Sequence, residues 1–270
     1  MSDTKKKETF GGTVGFVFII CLVCAALVSI SAVGLKPLQT ANKLLDKQTK
    51  ILEASGLLAI ALKAENIKAL GGESESIVDT YEKYVDAKMI SLATGKVIEG
   101  NVKTFDERAD ARDVNKSSKP ENDIAGINRQ ADNAVVYLIK DEQGKVSTIV
   151  LPIVGSGLWD LMYGFVGLES DLNTVKSVIY SDLKETPGLG AEVLNPKWKA
   201  LWPGKEMFDE QGNIAIQIVK GGAKAGNIHG VDALSGATLT SNGVENTLHF
   251  WLGKEGYGPF ITNYRAGGLN

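Results

Sequence analysis

An uninterrupted apolar stretch near the N-terminus constrains this chain more than any other feature. No charged residue occurs between Thr9 and Leu35, and nearly every side chain between them is hydrophobic or small. About 20 apolar residues span the ~30 Å hydrocarbon core of a bilayer, whereas a soluble helix of this kind would need burial on every side. The sequence therefore predicts an uncleaved membrane-spanning helix over residues 13–35, with a short cytoplasmic segment, residues 1–12, before it.

Two questions about this stretch stay open at the level of sequence. Ser29-Ile30-Ser31 is an acceptable small-x-small cleavage site, so a signal peptide is the alternative to an anchor. The apolar run is longer than the core of a typical signal peptide, which favours the anchor. Lysines flank both of its ends, so the positive-inside rule does not decide on which side of the membrane the remainder lies.

Composition excludes several classes of protein. Both cysteines, Cys21 and Cys24, lie inside the apolar stretch, so the rest of the chain has no disulfide framework. Their CxxC spacing is best interpreted as two small apolar side chains on one side of a membrane helix, in preference to a redox or metal motif. His229 and His249 are far apart in the sequence, and we expect no metal site. A net charge of -3 gives no electrostatic argument for binding nucleic acid.

The remainder divides into two regions. Residues 36–133 are predicted to form a helical stalk and then a mixed α/β region, and residues 134–270 a separate domain. Hydrophobic runs between turn residues in the second region predict strands without regular βαβ alternation. The predicted class is therefore α+β, a largely antiparallel sheet with flanking helices. A helix is predicted over 242–253, where Asn242 and Glu245 have the spacing of a capping box.

The segment that precedes this helix is the most informative in the chain. It reads Asp232-Ala-Leu-Ser235-Gly236-Ala237-Thr238-Leu-Thr240-Ser241. Small side chains would let a bulky phosphate ester approach the backbone, and the N–H groups at a helix N-terminus favour negative charge. An ordinary Ser/Thr cap in a turn is the alternative that the spacing alone leaves open.

Two further glycine-rich segments lie upstream. One reads Glu185-Thr186-Pro187-Gly188-Leu189-Gly190, in which proline and glycine predict a tight loop. The other reads Gly155-Ser156-Gly157-Leu158-Trp159, which on its own is equally consistent with a core tryptophan at a turn.

Together, and in the order in which they follow one another along the chain, the three segments resemble the FMN-binding domain family. That resemblance implies that Thr238 is joined to FMN by a phosphoester bond. A separate flavin transferase would carry out the attachment with FAD and a divalent metal, so the chain receives the flavin and has no catalytic residue of its own. Asp232 is expected to orient the loop or to assist the transferase. The expected cofactor-binding residues are Thr238, Ser235, Gly236, Ala237, Asp232, Thr240, Glu185, Thr186, Gly188, Leu189, Leu158 and Trp159.

The overall layout, including the C-terminal run GPFITNYRAGG, resembles the C subunits of sodium-translocating NADH:quinone oxidoreductases. This resemblance implies a single-pass protein of a bacterial inner membrane with its domain on the periplasmic side. Its expected partners are the other subunits of the redox complex, the flavin transferase and the lipid bilayer. The expected function is to relay electrons through covalently bound FMN. Alternatives are a G-subunit-like electron-transfer flavoprotein of an Rnf complex and an anchored binding module without covalent flavin.

Overall fold

The computed structural model of the chain describes residues 10–69, 76–267 and 269. The chain divides into two compact units, one ending at Lys47 and the other beginning at Gln48. The α-helices are α1 (Phe10–Ser55), α2 (Leu58–Ala69), α3 (Ile77–Tyr84), α4 (Glu107–Arg112), α5 (Pro196–Lys199), α6 (Thr238–Leu252) and α7 (Gly258–Arg265). The strands are β1 (Val85–Ser91), β2 (Ser117–Ser118), β3 (Gln130–Ala131), β4 (Asn133–Lys140), β5 (Val146–Ser156), β6 (Leu161–Glu169), β7 (Val175–Asp182), β8 (Gln217–Val219) and β9 (Gly230–Asp232).

The first unit contains the candidate anchor. Among the described residues, α1 is the one helix that is long and apolar enough to cross a membrane. The predicted span 13–35 lies wholly within it, and its apolar side chains are exposed in the structure. The helix continues through Pro37 without ending there. Most of the predicted cytoplasmic segment, residues 1–12, lies outside the described residues.

A five-stranded antiparallel sheet forms the centre of the second unit. Its order is β1-β4-β5-β6-β7, so four consecutive strands form a meander and β1 adds an edge next to β4. This confirms the predicted α+β class with a largely antiparallel sheet. β1 lies within the region 36–133, so the sheet begins before the predicted domain boundary at residue 134. The strands β8 and β9 form a separate parallel pair.

Both faces of the sheet are covered, which explains why β4 is an almost continuous apolar run. Successive residues of a strand point to opposite faces. Ala134, Val136 and Leu138 belong to the larger core cluster, which also contains Val244 and Leu248 of α6. The residues between them belong to a smaller cluster that also contains Ile51 and Ala54 at the end of α1; they are Val135, Tyr137 and Ile139.

The last turn of α1 is held tightly against the sheet. The carbonyl oxygen of Ala54 accepts a hydrogen bond from the Ser177 hydroxyl at 2.7 Å. A β-carbon on Gly167 would lie 2.1 Å from the same oxygen, so the close approach of the helix end to β6 requires glycine.

Glu53 ties this turn to α5. Its carboxylate accepts hydrogen bonds from Lys199 Nζ at 2.6 Å and from Lys50 Nζ at 3.0 Å. Burial raises the pKa of the Glu53 carboxyl, but the hydrogen bonds and charges of Lys199 and Lys50 lower it by more. The pKa of Glu53 therefore lies below its ordinary value, and the ion pairs persist at neutral pH.

Replacing Glu53 with glutamine is expected to lower the free energy of unfolding at neutral pH, by up to about 1 kcal/mol. Because the folded-state pKa is lowered, this contribution is fully present above the ordinary value of 4.5 and is lost as the pH falls through the folded-state pKa. Urea unfolding of the full chain in detergent, followed by tryptophan fluorescence, should show the two proteins converging in acid. The exposed position Glu82 provides the control, since Glu82→Gln should change stability little. An advantage of the wild type that persists unchanged into acid would contradict the assignment.

Candidate functional site

The three segments singled out in the sequence meet at one end of the main sheet. The glycine turn (Gly157–Asp160) joins β5 to β6, whose last pair in the register is Ser156 with Leu161. The ETPGLG loop (Glu185–Gly190) follows β7, and the acceptor loop (Ala233–Ala237) leads into α6.

The carboxylate of Glu185 connects all three. Its Oε1 accepts hydrogen bonds from the backbone N–H of Leu158 at 2.8 Å and of Trp159 at 3.1 Å. Its Oε2 accepts a hydrogen bond from the Thr240 hydroxyl, on the first turn of α6. Glu185 is 6% exposed, and Thr240 is 1% exposed. The side chains that bring the segments together are therefore buried beneath the surface of the site.

Two glycines make room for this carboxylate. A β-carbon on Gly157 would lie 2.4 Å from Glu185 Oε1. On Gly190 it would lie 2.2 Å from Glu185 Oε2 and 2.6 Å from Thr240 Oγ1. These separations are shorter than any van der Waals contact, so a side chain at either position would displace the carboxylate from its hydrogen bonds.

The helix α6 begins four residues earlier than the sequence predicts. It starts at Thr238, with Ala237 as the N-cap residue, so the predicted capping box at Asn242 is wrong. The physical reason is that Glu245 has another partner: its carboxylate accepts a hydrogen bond from the Ile218 backbone N–H at 2.5 Å. In the described part of the chain no side chain caps the N-terminus of α6. The N–H groups of its first turn are thus left for an anionic group.

The acceptor loop leads into α6 through Gly236, whose backbone adopts a left-handed conformation. Gly236 has a φ of 73°, a conformation that favours glycine, and a β-carbon there would lie 3.1 Å from Leu189 Cδ2. The loop therefore passes close to the ETPGLG loop, and Gly236 allows both the turn and the approach.

Four hydroxyl groups lie between Ser235 and Ser241, and burial separates them into two pairs. Thr240 is bonded to Glu185, and the Ser241 hydroxyl, 2% exposed, accepts a hydrogen bond from the Leu234 N–H at 3.0 Å. Ser235 and Thr238 are exposed. Only an exposed hydroxyl can be modified by another enzyme, so the candidates for attachment are these two, and only Thr238 lies on the helix.

Large apolar side chains are exposed around this position. Trp159 is 68% exposed and Leu239 is 61% exposed, and Leu158 and Leu189 are also exposed. The Trp159 indole N–H donates a hydrogen bond to Thr186 Oγ1 at 3.1 Å, which fixes the ring on the surface. An apolar surface of this kind beside a helix N-terminus suits a ligand with a flat ring and a phosphate.

The remaining predicted site residues support the loops. Asp232 is exposed, and its carboxylate accepts a hydrogen bond from the Ala223 N–H at 2.7 Å, while its carbonyl accepts one from the Trp198 indole at 2.9 Å. Asp232 therefore holds the backbone at Ala223 and the Trp198 indole next to the start of the acceptor loop. Gly188 is exposed and has a φ of 76°.

One surface ion pair lies at the edge of the site. Lys184 donates a hydrogen bond to Asp160 at the end of the glycine turn. This bond and the lysine charge lower the pKa of the Asp160 carboxyl, and Asp160 raises the pKa of the Lys184 amine. Both groups are therefore charged at neutral pH.

Sequence reasoning missed the glycines that seat α6 on the sheet. A β-carbon on Gly243 would lie 2.1 Å from the Ser156 carbonyl oxygen, and one on Gly155 would lie 1.9 Å from Thr247 Oγ1. A glycine inside a predicted helix costs about 1 kcal/mol relative to alanine, so Gly243 itself was the available signal.

A cavity of about 300 Å³ lies outside this site. It is lined by residues of α4 and of the ends of β5 and β6, including Arg108, Arg129 and Tyr163, and by none of the predicted site residues. Arg108 is engaged by Asp182 at 2.6 Å and by the Tyr163 ring, and Arg129 by Ser117. Since none of the predicted site residues lines it, the cavity is separate from the candidate site.

Comparison with known proteins points to one family. Residues 157–253 match the family described as "FMN-binding domain", a range that contains the glycine turn, the ETPGLG loop and the acceptor loop. The chain is 45% identical to the C subunit of the Na(+)-translocating NADH-quinone reductase of Vibrio vulnificus, over 100% of this chain and 99% of that protein. It is 43% identical to the protein of the same name from Yersinia pestis, over 98% and 97% of the two chains.

Two solved structures are similar to this one. The crystal structure of Shewanella oneidensis NqrC has a TM-score of 0.76 at 41% identity, and the match covers 84% of this chain and 99% of that chain. The crystal structure of the C subunit of the Na(+)-translocating NADH-quinone reductase from Parabacteroides distasonis has a TM-score of 0.62 at 26% identity, with 84% and 97% covered.

Proposed function

This chain belongs to the family of C subunits of Na+-translocating NADH-quinone reductases, and on that premise we propose that it is a membrane-anchored flavoprotein subunit that relays electrons through FMN joined to Thr238. The observation that carries the proposal is the exposed Thr238 hydroxyl at the uncapped N-terminus of α6, within the segment that matches the FMN-binding domain family. The proposal includes the phosphoester bond, the electron relay and the partners.

Attachment would use the threonine oxygen as the nucleophile. Transfer of FMN from FAD forms a bond between Thr238 Oγ1 and phosphorus, breaks the pyrophosphate bond and releases AMP, while the hydroxyl proton is lost. A threonine hydroxyl is a weak nucleophile at neutral pH and needs an activating base. Among the described residues no side chain is hydrogen-bonded to Thr238, which supports a separate transferase as the catalyst.

The residues around Thr238 fit such a group. The N–H groups of the first turn of α6 would bind the phosphate, since they favour an anion. Trp159, Leu158, Leu189 and Leu239 would provide an apolar surface for the flavin ring, and Thr186 holds the Trp159 indole in place. The bound flavin supplies the redox chemistry, and the protein supplies attachment, orientation and electrostatic environment.

The anchor and the partners complete the proposal. The apolar part of α1 would span the inner membrane once and would hold the domain on the periplasmic side. Covalent attachment suits that location, because unattached FMN would be lost by diffusion. The other subunits of the reductase would donate and accept the electrons and would carry the sodium ions, and a flavin transferase would mature this subunit.

The test is to co-express the full chain with a flavin transferase. We expect a band that fluoresces under ultraviolet light after denaturing electrophoresis, and an increase in intact mass of one FMN minus water, located on the peptide that contains residues 235–241. Protease added outside spheroplasts should release the fluorescent domain. NADH should bleach the flavin absorption in membranes that hold the complete complex and leave it unchanged where this subunit is expressed alone.

Each part of the proposal can fail separately. An unmodified chain, with the transferase active on a control protein, would exclude covalent FMN. A fluorescent domain protected from external protease would exclude the periplasmic location. Flavin that is not reduced in the complete complex would exclude the electron relay.

A further inference from the structure

Glu185 is a buried carboxylate that the attachment chemistry does not use. Both of its oxygens already accept hydrogen bonds, from the Leu158 and Trp159 N–H groups and from the Thr240 hydroxyl. Within the described part of the chain no cationic side chain forms an ion pair with it. Burying a charge is costly unless hydrogen bonds compensate, so the network must be complete for Glu185 to lie where it does.

The three donors belong to the parts that the proposed site has to bring together. Leu158 and Trp159 belong to the glycine turn, which carries exposed apolar side chains. Thr240 is two residues beyond Thr238, on the same helical turn. Glu185 itself begins the ETPGLG loop. A single carboxylate thus fixes the apolar surface relative to the attachment point.

The network also has little freedom to shift. β-carbons at Gly157 and Gly190 would lie within 2.4 Å of the Glu185 oxygens, so the backbone of both loops is packed directly against the carboxylate. We propose that Glu185 is a positioning residue, which holds the glycine turn and the first turn of α6 in the arrangement that lets Thr238 be loaded with FMN. This inference rests on the proposed function, and it assigns Glu185 a role through its neighbours and not by direct contact with the flavin.

Four substitutions, two at Glu185 and two at Thr240, separate hydrogen bonding from volume. In Glu185→Gln the amide oxygen can still accept from Leu158 and Trp159, and the amide NH₂ can donate to the Thr240 hydroxyl, which is able to accept. Glu185→Met keeps a similar length without strong acceptors. Thr240→Val removes only the link to α6, and Thr240→Ser is its matched control because serine keeps the hydroxyl.

Two readouts follow these variants of the full chain. The first is hydrogen exchange at the Leu158 and Trp159 amides in protein made without transferase, which needs no flavin. The second is the initial rate of FMN attachment by a purified transferase. Glu185→Met should speed local exchange about tenfold or more, as expected for losing bonds to a charged acceptor. It should also slow loading about tenfold or more, as expected for a misplaced reacting group.

The matched variants should behave differently. Glu185→Gln should restore both readouts to near the wild-type values. Thr240→Val should slow loading about tenfold while the two amides keep their protection, and Thr240→Ser should load like the wild type. If Glu185 only filled space, Glu185→Met would behave like the wild type. Thr240→Val and Thr240→Ser would then be loaded at the same rate.

The outcomes distinguish this inference from the proposed function. If the wild-type chain is loaded with FMN and a folded Glu185→Met protein is loaded at the same rate, the inference alone is overturned. If Glu185→Met does not fold, equal loading of Thr240→Val and Thr240→Ser would overturn it. A wild-type chain that stays unmodified beside a loaded control protein would overturn the proposed function itself, and the amide exchange would still report whether Glu185 holds the turn.

Discussion

Replacing Thr238 with alanine is expected to abolish covalent flavin completely. The variant lacks the oxygen that would bond to phosphorus, and the two nearest helical hydroxyls cannot replace it because Thr240 and Ser241 are buried and hydrogen-bonded. Thr238 is exposed, so its loss should change the free energy of unfolding by less than about 0.5 kcal/mol. Intact mass and in-gel fluorescence after co-expression with the transferase measure the effect, and thermal unfolding checks the fold.

Two controls make this result specific. Thr238→Ser keeps a hydroxyl at the same position and should still be loaded. Ser235→Ala removes the other exposed hydroxyl of the acceptor loop and should leave the fluorescent band in place. If Thr238→Ala still gained the mass of FMN minus water, attachment would lie elsewhere, and Ser235 would be the first position to examine.

The central strands could be predicted from the sequence because their patterns are local. β4 to β7 are apolar runs bounded by turn residues, and they form where the runs occur. β1 escaped prediction for a physical reason: it is an edge strand in which only Ile90 is buried, so its sequence lacks a strong apolar pattern. Its place in the sheet depends on pairing with β4, which lies more than 40 residues further along the chain.

The site was predictable in its parts and not in its assembly. The three motifs, with Thr238 as the candidate attachment point, could be singled out from residue types and from resemblance to a family. The hydrogen bonds that converge on the Glu185 carboxylate could not be predicted. They join residues 27 and 55 positions apart in the sequence and depend on the folded sheet. The start of α6 was missed because Asn242 and Glu245 fit a capping box, while the partner that Glu245 has in the fold, Ile218, is distant in sequence.

The second large effect is expected for Gly243→Ala. In an exposed helix this change stabilises by about 1 kcal/mol, because alanine is the better helix former. Here the added β-carbon would lie 2.1 Å from the Ser156 carbonyl oxygen, a backbone atom that cannot rotate away. The helix α6 must then move off the end of β5, and overpacking of this kind costs about 1–3 kcal/mol. The sign of the change in stability therefore reverses.

The same movement should reach the site. α6 carries Thr238 and Thr240, and Ser156 directly precedes the glycine turn, so separating them strains the bonds that converge on Glu185. We expect Gly243→Ala to lower the urea midpoint of the full chain in detergent and to slow FMN loading about tenfold. Asn242→Ala, at the exposed neighbouring position, is the control and should leave both unchanged or raise stability slightly. A Gly243→Ala protein more stable than the wild type would show that α6 does not rest on Ser156 in solution.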